Sequence, residues 1–388
     1  MNNEEATPNE HPDLSAGMTP EQLAEAKQYG RLDLFCMLAD RVVDVAFLST
    51  AAFLLAKPLD SWLGGYQLLA DCWSLRLICL YMAVYAMHVC VSFPLSFYSS
   101  HILEHRFNLS KLTFGGWLWR YFKTNALSAA FGAAMILGLY WLIWTTAAYW
   151  WLVAAGAFFV VSVLLGQLAP VLIMPLFYKI EPLADEELSD RLKRLSDGTG
   201  LSIEGVYRIA LSEETVKVNA MLAGLGRTRR VLLGDTLLDG FSPEEIEIIF
   251  ALEIGHHVYR HVRKLIAAGI VFSLGGFFVC DRLLHLVLGG WNHDYAQFPV
   301  YALPAIMLFL ALFSQLMEPI KNAMSRHFER QSDAYALRRT GMKEAYISAF
   351  QKAATVNKDD PDPHWLDVLL FSDHPPIAER LAVARRND

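Results

Sequence analysis

Charge is scarce in this chain. Asp, Glu, Lys and Arg make up 19% of its 388 residues, against about 25% in an ordinary soluble domain. The basic residues are the smaller set, 33 against 40 acidic, giving a net charge of −7. With no cationic excess to follow a phosphate backbone, composition argues against a nucleic-acid partner. Cysteine is sparse too: Cys36, Cys72, Cys79, Cys90 and Cys280 are odd in number, form no C-x-x-C pair and lie mostly in apolar stretches. That argues against a disulfide framework or a cysteine zinc site. What the chain has in excess is apolar surface. Hydrophobic types reach 54% and mean hydropathy is +0.29, which excludes a disordered chain and points to a membrane protein with a polar part.

The apolar residues fall into runs near the roughly 20 residues needed to cross a bilayer. They are Leu34–Ala56, Leu77–Tyr98, Ala126–Thr146, Trp150–Met174, Leu265–Leu288 and Val300–Pro319. The sequence therefore predicts about six transmembrane helices. Residues 1–30 read as a mobile polar tail, without the basic start and apolar core of a signal peptide. Residues 31–174 hold four spans and 265–321 two more; 175–264 and 322–388 form the polar part. Lys and Arg collect in the Phe97–Lys123 connection and in Lys179–Lys264, but are absent from Ala147–Tyr149 and Gly289–Pro299. The positive-inside rule then predicts both termini and the polar part on the cytoplasmic side. Trp117, Trp119, Trp141, Trp144, Trp150 and Trp151 sit near predicted span ends, as interfacial aromatics do. Asp281 and Arg282 interrupt the fifth span and call for a partner, an interface or a wet cavity.

One polar segment carries chemistry. Ser242-Pro243-Glu244-Glu245 is a helix start, with a capping box closed by Glu245 and proline at the first helical position. The helix continues to Leu252-Glu253-Ile254-Gly255-His256. Zinc-peptidase helices carry H-E-x-x-H, in which two histidines at i and i+4 face one metal and the glutamate polarises its water. Glu253 and His256 fit the second and fifth positions; the first is Leu252, which cannot ligate zinc. His257 is no substitute, because i+5 lies about 100° further round the helix. Alone, E-x-x-H is a weak signal.

Other stretches add specificity. Asn322 to Ala334, reading NAMSRHFERQSDA, closely resembles the second motif of the integral-membrane gluzincins, the type I CaaX prenyl proteases and HtpX-like proteases. Asn219-Ala220-Met221 and Arg229–Leu238 resemble the family's edge-strand region. Asp373-His374-Pro375-Pro376-Ile377-Ala378-Glu379-Arg380 resembles its late His-Pro-Pro element, and Leu103–Ser110 and Ala169–Phe177 resemble two membrane-side segments. The resemblance runs from about Leu34 almost to the end. It implies a mostly α membrane protein with a zincin-like helical metalloprotease domain carrying a small β-sheet. The strands are expected near Gly205–Leu211, Val216–Leu222 and Arg230–Gly234, with a turn at Gly224-Leu225-Gly226.

The resemblance also implies roles. His256 and Glu329 would be two ligands of one Zn2+ per chain, with Leu252 at the position of the missing third. Glu253 would move the water's proton. Asp333 would orient a ligating imidazole, or simply pair with Arg330 or Arg338. His374 and Arg380 would steady the scissile carbonyl's charge, and Asn219 and Ala220 would line the substrate groove. His257, His261, His285, His88 and His101 carry no such motif and read as structural or interfacial. The implied partners are the bilayer and a peptide or membrane-protein substrate. Loss of one ligand out of a binding energy of about 10–16 kcal/mol implies zinc weakened or absent and an enzyme inactivated. The alternative is a natural pseudoprotease that binds membrane-proximal segments without cutting them. The motif helix is expected to face a polar cleft, so that a histidine at Leu252 would be tolerated.

Overall fold

The computed structural model describes residues 15–224, 229–288 and 294–386. Helix α1, Pro20–Thr50, starts on a capping box between Thr19 and Gln22, and continues through a π-turn into Ala56–Gly64. This corrects the expected tail. From residue 15 onward the segment is ordered, because Ala16 and Ala26 are buried against the polar part and Tyr29 against Leu103, Phe107 and Leu109; residues 1–14 lie outside the described residues. Next come α2 (Trp73–Phe97), α3 (Phe114–Thr146) and α4 (Trp150–Leu168). Among the described residues five helical stretches are long and apolar enough to cross a membrane. The longest, Phe114–Leu176, breaks at Ala147 (φ 47), and α3 and α4 pack against each other across that turn. Each of the six predicted apolar runs thus lies in its own helix. Their inner faces share one core of Leu77, Leu80, Tyr140, Ile143, Trp150 and Phe277. Their outer faces stay apolar, with Leu286 79% and Leu316 68% exposed, as a lipid solvent requires.

The expected aromatic belt divides. Trp119 and Trp141 are exposed, but Trp150 is fully buried and donates its Nε1–H to Asp281 Oδ1 at 2.7 Å. Asp281 also pairs with Arg282. The interruption in the fifth span is therefore a satisfied buried carboxylate rather than a cavity.

The polar part begins with β1 (Ile180–Pro182) and α5 (Glu186–Ser196). β2 (Gly205–Ile209), β3 (Ala220–Ala223) and β4 (Arg230–Gly234) follow. The strands form one sheet in the order β1-β2-β4-β3, leaving β3 at an edge. Three of the four were expected; the turn at Leu225-Gly226 lies outside the described residues. Asp235, 1% exposed, ties the sheet's end together. It accepts from the backbone N–H groups of Leu211 (2.9 Å) and Ser212 (2.8 Å), from Ser212 Oγ (2.7 Å) and from Arg208 (3.1 Å).

Helix α6, Pro243–Val258, begins on the capping box read from sequence, and Glu245 also takes Ser348 Oγ and Lys352 Nζ from α9 (Lys343–Asn357). Arg260 (φ 58) breaks the chain before α7, His261–Val287, enters the membrane. Helix α8, Leu303–Thr340, runs unbroken from the bilayer into the polar part, and α10, Ile377–Arg386, closes over it. At the α6–α8 crossing a Cβ on Gly255 would lie 3.0 Å from the Cα of Ser332. Only glycine lets the two backbones approach this closely.

Candidate functional site

That close crossing joins the two halves of the motif. His256 Nε2 on α6 lies 3.0 Å from Glu329 Oε1 on α8. Burial works against the imidazolium, yet Glu329 and Glu253 hold the His256 pKa above its ordinary value. Glu253, one helical turn back on the same face, is pushed up by burial, and Glu329 adds to the shift. His374 Nε2 stands 3.6 Å from the same Glu329 oxygen, and its Nδ1 bonds Asp373 at 2.6 Å, which raises its pKa. These side chains line one cavity of about 570 Å³ together with Asn219 and Ala220. Asn219 precedes edge strand β3, and its carbonyl accepts the Gly234 N–H at 2.9 Å. An extended peptide could add to that edge.

One expected contact differs. Among the described residues no hydrogen bond or ion pair joins Asp333 to an imidazole, to Arg330 or to Arg338. Asp333 forms a buried two-pronged pair with Arg380, Nε–Oδ2 3.0 Å and Nη2–Oδ1 2.5 Å. Arg380 in turn lies 3.6 Å from Glu329 Oε2, is 6% exposed and forms part of the cavity wall. The side chain against the His256 imidazole is instead His261, read from sequence as structural or interfacial. His261 is 1% exposed, with Nδ1 3.1 Å from His256 Nδ1 and Nε2 2.9 Å from Gln331 Oε1. Five residues separate the histidines, the wrong spacing for one helix face; the break at Arg260 turns His261 back. The left-handed residue carried no signal in the sequence, since it is an arginine rather than a glycine.

Leu252 also differs from expectation. It borders the cavity but is 7% exposed, packed in an apolar cluster with Ile248, Ala251, Tyr346, Phe350 and Leu381. Its side chain packs into the core at the edge of the cavity rather than standing free in a polar cleft. The residues present do not fit a zinc site with three protein ligands. Among the described residues no three His, Cys, Asp or Glu side chains are grouped to hold a metal.

Comparison with known proteins agrees along the chain. Residues 2–179 match the family model described as CAAX prenyl protease N-terminal, five membrane helices, and residues 182–388 match the model of peptidase family M48. CAAX prenyl protease 1 of Saccharomyces cerevisiae is 30% identical over 78% of this chain and 71% of its own. An uncharacterised metalloprotease, YhfN of Bacillus subtilis, is 27% identical over 99% of this chain and 90% of its own. The crystal structure of S. mikatae Ste24p superposes with a TM-score of 0.82 at 24% identity, covering 97% of this chain and 92% of that one.

Proposed function

Because the chain belongs to peptidase family M48, a family of membrane zinc metallopeptidases, we propose that it is a membrane-embedded endopeptidase scaffold whose hydrolysis is blocked at Leu252. The observation that carries this reading is the meeting of Glu253, His256, Glu329 and His374 with an edge strand in one cavity. In this reading Asn219 and Ala220 hold an extended peptide along β3. Glu253, raised in pKa by burial, is the group that exchanges protons with water and the leaving amine. His374 lies where it can steady charge on the carbonyl, and Arg380 with Asp333 holds Glu329 in place. With leucine at residue 252, no step through zinc is assigned to this chain.

The substrates suggested by the relatives' names are CaaX-type tails; damaged membrane proteins are the other class. The polar regions 175–264 and 322–388 make up the peptidase part, on the cytoplasmic side with both termini, as the Lys/Arg-poor connections suggest. In a background where every cysteine but Cys72 is replaced, an impermeant thiol reagent should reach Cys72 from the opposite side. Labelling only from the cytoplasm would reverse the orientation.

The tight packing of Leu252 favours a second reading, a pseudoprotease that holds membrane-proximal segments. Peptide cleavage by the chain and by its Leu252→His variant separates the two. A variant that takes up zinc and cuts supports the blocked enzyme. One that takes up zinc, binds peptide and cuts nothing supports the silent binder.

A further inference from the structure

The start of α7 carries a second polar cluster, outside the cavity. Arg229, at the entry to β4, lies against His257 Nδ1 on α6. Arg260, Arg263 and Lys264 are exposed at the point where the chain turns into the membrane. Lys264 sits 5.3 Å over the ring of Phe328, and Arg338 bonds Tyr259 beside them. Among the described residues, none of Arg229, Arg260, Arg263 and Lys264 has a carboxylate in ion-pairing reach; nearby Glu204 is committed to Arg230 at 2.8 Å. Burial, with the neighbouring Arg263 charge, pulls the Arg229 pKa below its ordinary value. Apolar side chains flank the cations, Val262 and Leu265 each being 44% exposed. Uncompensated cations above exposed apolar residues, at the first turn of a span, match a phosphate headgroup above acyl chains.

We propose that this patch, centred on Arg229 and Arg263, seats the headgroup of an anionic phospholipid in the leaflet facing the peptidase part. The bound lipid would bridge β4, the end of α6 and the start of α7, and so tie the polar part to the bilayer. The proposal is independent of the hydrolytic reading, since it needs only a membrane-integrated chain.

The test is lipid retention by the full chain, extracted from bilayers of equal phosphatidylglycerol and phosphatidylcholine and weighed by native mass spectrometry. At about a tenfold affinity change per 1.4 kcal/mol and roughly 1 kcal/mol per cation near the surface, two arginines should favour phosphatidylglycerol on the order of 30-fold. Arg229→Gln with Arg263→Gln should lower the ratio by that factor of about 30. Arg229→Lys with Arg263→Lys should keep most of it, and exposed Arg194→Gln should leave it unchanged. If the double glutamine variant fails to fold, Arg263→Gln alone should still lower the preference several-fold. An unchanged preference in the glutamine variants would overturn the proposal. So would full displacement of the lipid by millimolar inorganic phosphate, which would mark a site for the free ion.

Discussion

Replacing Leu252 by histidine should weaken the fold before it restores any chemistry. The leucine is 7% exposed, in contact with a cluster whose members are themselves nearly all buried. Burial of such a side chain is worth roughly 1.5–3 kcal/mol, and an imidazole without a partner costs about 1–3 kcal/mol more in that setting. In a chelator the variant should therefore be less stable than the parent by about 2.5–6 kcal/mol. Histidine four residues before His256 shares its helix face, so zinc would gain a third protein ligand beside His256 and Glu329. Mass action then stabilises the variant by about 2.7 kcal/mol at a free zinc concentration of 100 Kd and about 4.1 kcal/mol at 1,000 Kd. The stability order of variant and parent should invert once the zinc term outgrows that deficit, from about 100 Kd upward. Thermal unfolding of both chains in zinc buffers, with metal content measured on the same samples, reads the inversion. Peptide hydrolysis should appear only on the zinc-loaded side. A variant as stable as the parent in chelator would refute the packing argument; zinc content that stays near zero would refute the ligand argument.

Other changes bear on the same geometry. Adding Glu253→Gln to the Leu252→His variant should leave zinc bound and lower hydrolysis by about 10²–10⁴-fold, measured as turnover per zinc. Gly255→Val should force the α6–α8 crossing apart at Ser332 and lower the variant's zinc affinity at least about tenfold, read by competition with a chromophoric chelator. Asp235→Asn should cost roughly 2–3 kcal/mol, since it weakens several hydrogen bonds to a charged group. Although burial opposes ionisation, the Ser212 and Leu211 hydrogen bonds and Arg208 hold the Asp235 pKa below its ordinary 3.8. Its contribution should be fully present above that ordinary value and vanish as pH falls through the lower native one. A parent and Asn variant with the same acid-unfolding midpoint would contradict this.

Much of the architecture could be read from local pattern. The apolar runs marked the membrane helices, and Ser242 with Glu245 marked the start of the helix that carries His256. Partners set by contacts between distant segments were not legible. The resemblance implies an imidazole partner for Asp333, and spacing on α8 gives the residue's face but not the Arg380 that α10 brings against it. Residues 15–30 look polar, yet Ala16, Met18, Ala26 and Tyr29 are buried. The environment of Leu252 was inferred from the motif's usual surroundings, whereas α9 and α10 cover that side.

The contact between Gly255 and Ser332 has a mechanical consequence for a site borne on membrane helices. Glu329 lies 26 residues along α8 from Leu303, about 39 Å at 1.5 Å per residue. Were α8 a rod hinged at its buried end, a 3° tilt in a thinner or thicker bilayer would sweep the carboxylate through about 2 Å. Metal–ligand distances tolerate only about 0.2 Å. Seated against Gly255, the rod instead has its fulcrum at Ser332, three residues and about 4.5 Å beyond Glu329. The same tilt then displaces Glu329 by about 0.2 Å, and the swing is spent at the far end, in the core that the membrane helices share. A glycine with no chemistry of its own thus insulates the spacing of His256 and Glu329 from the bilayer that α8 crosses.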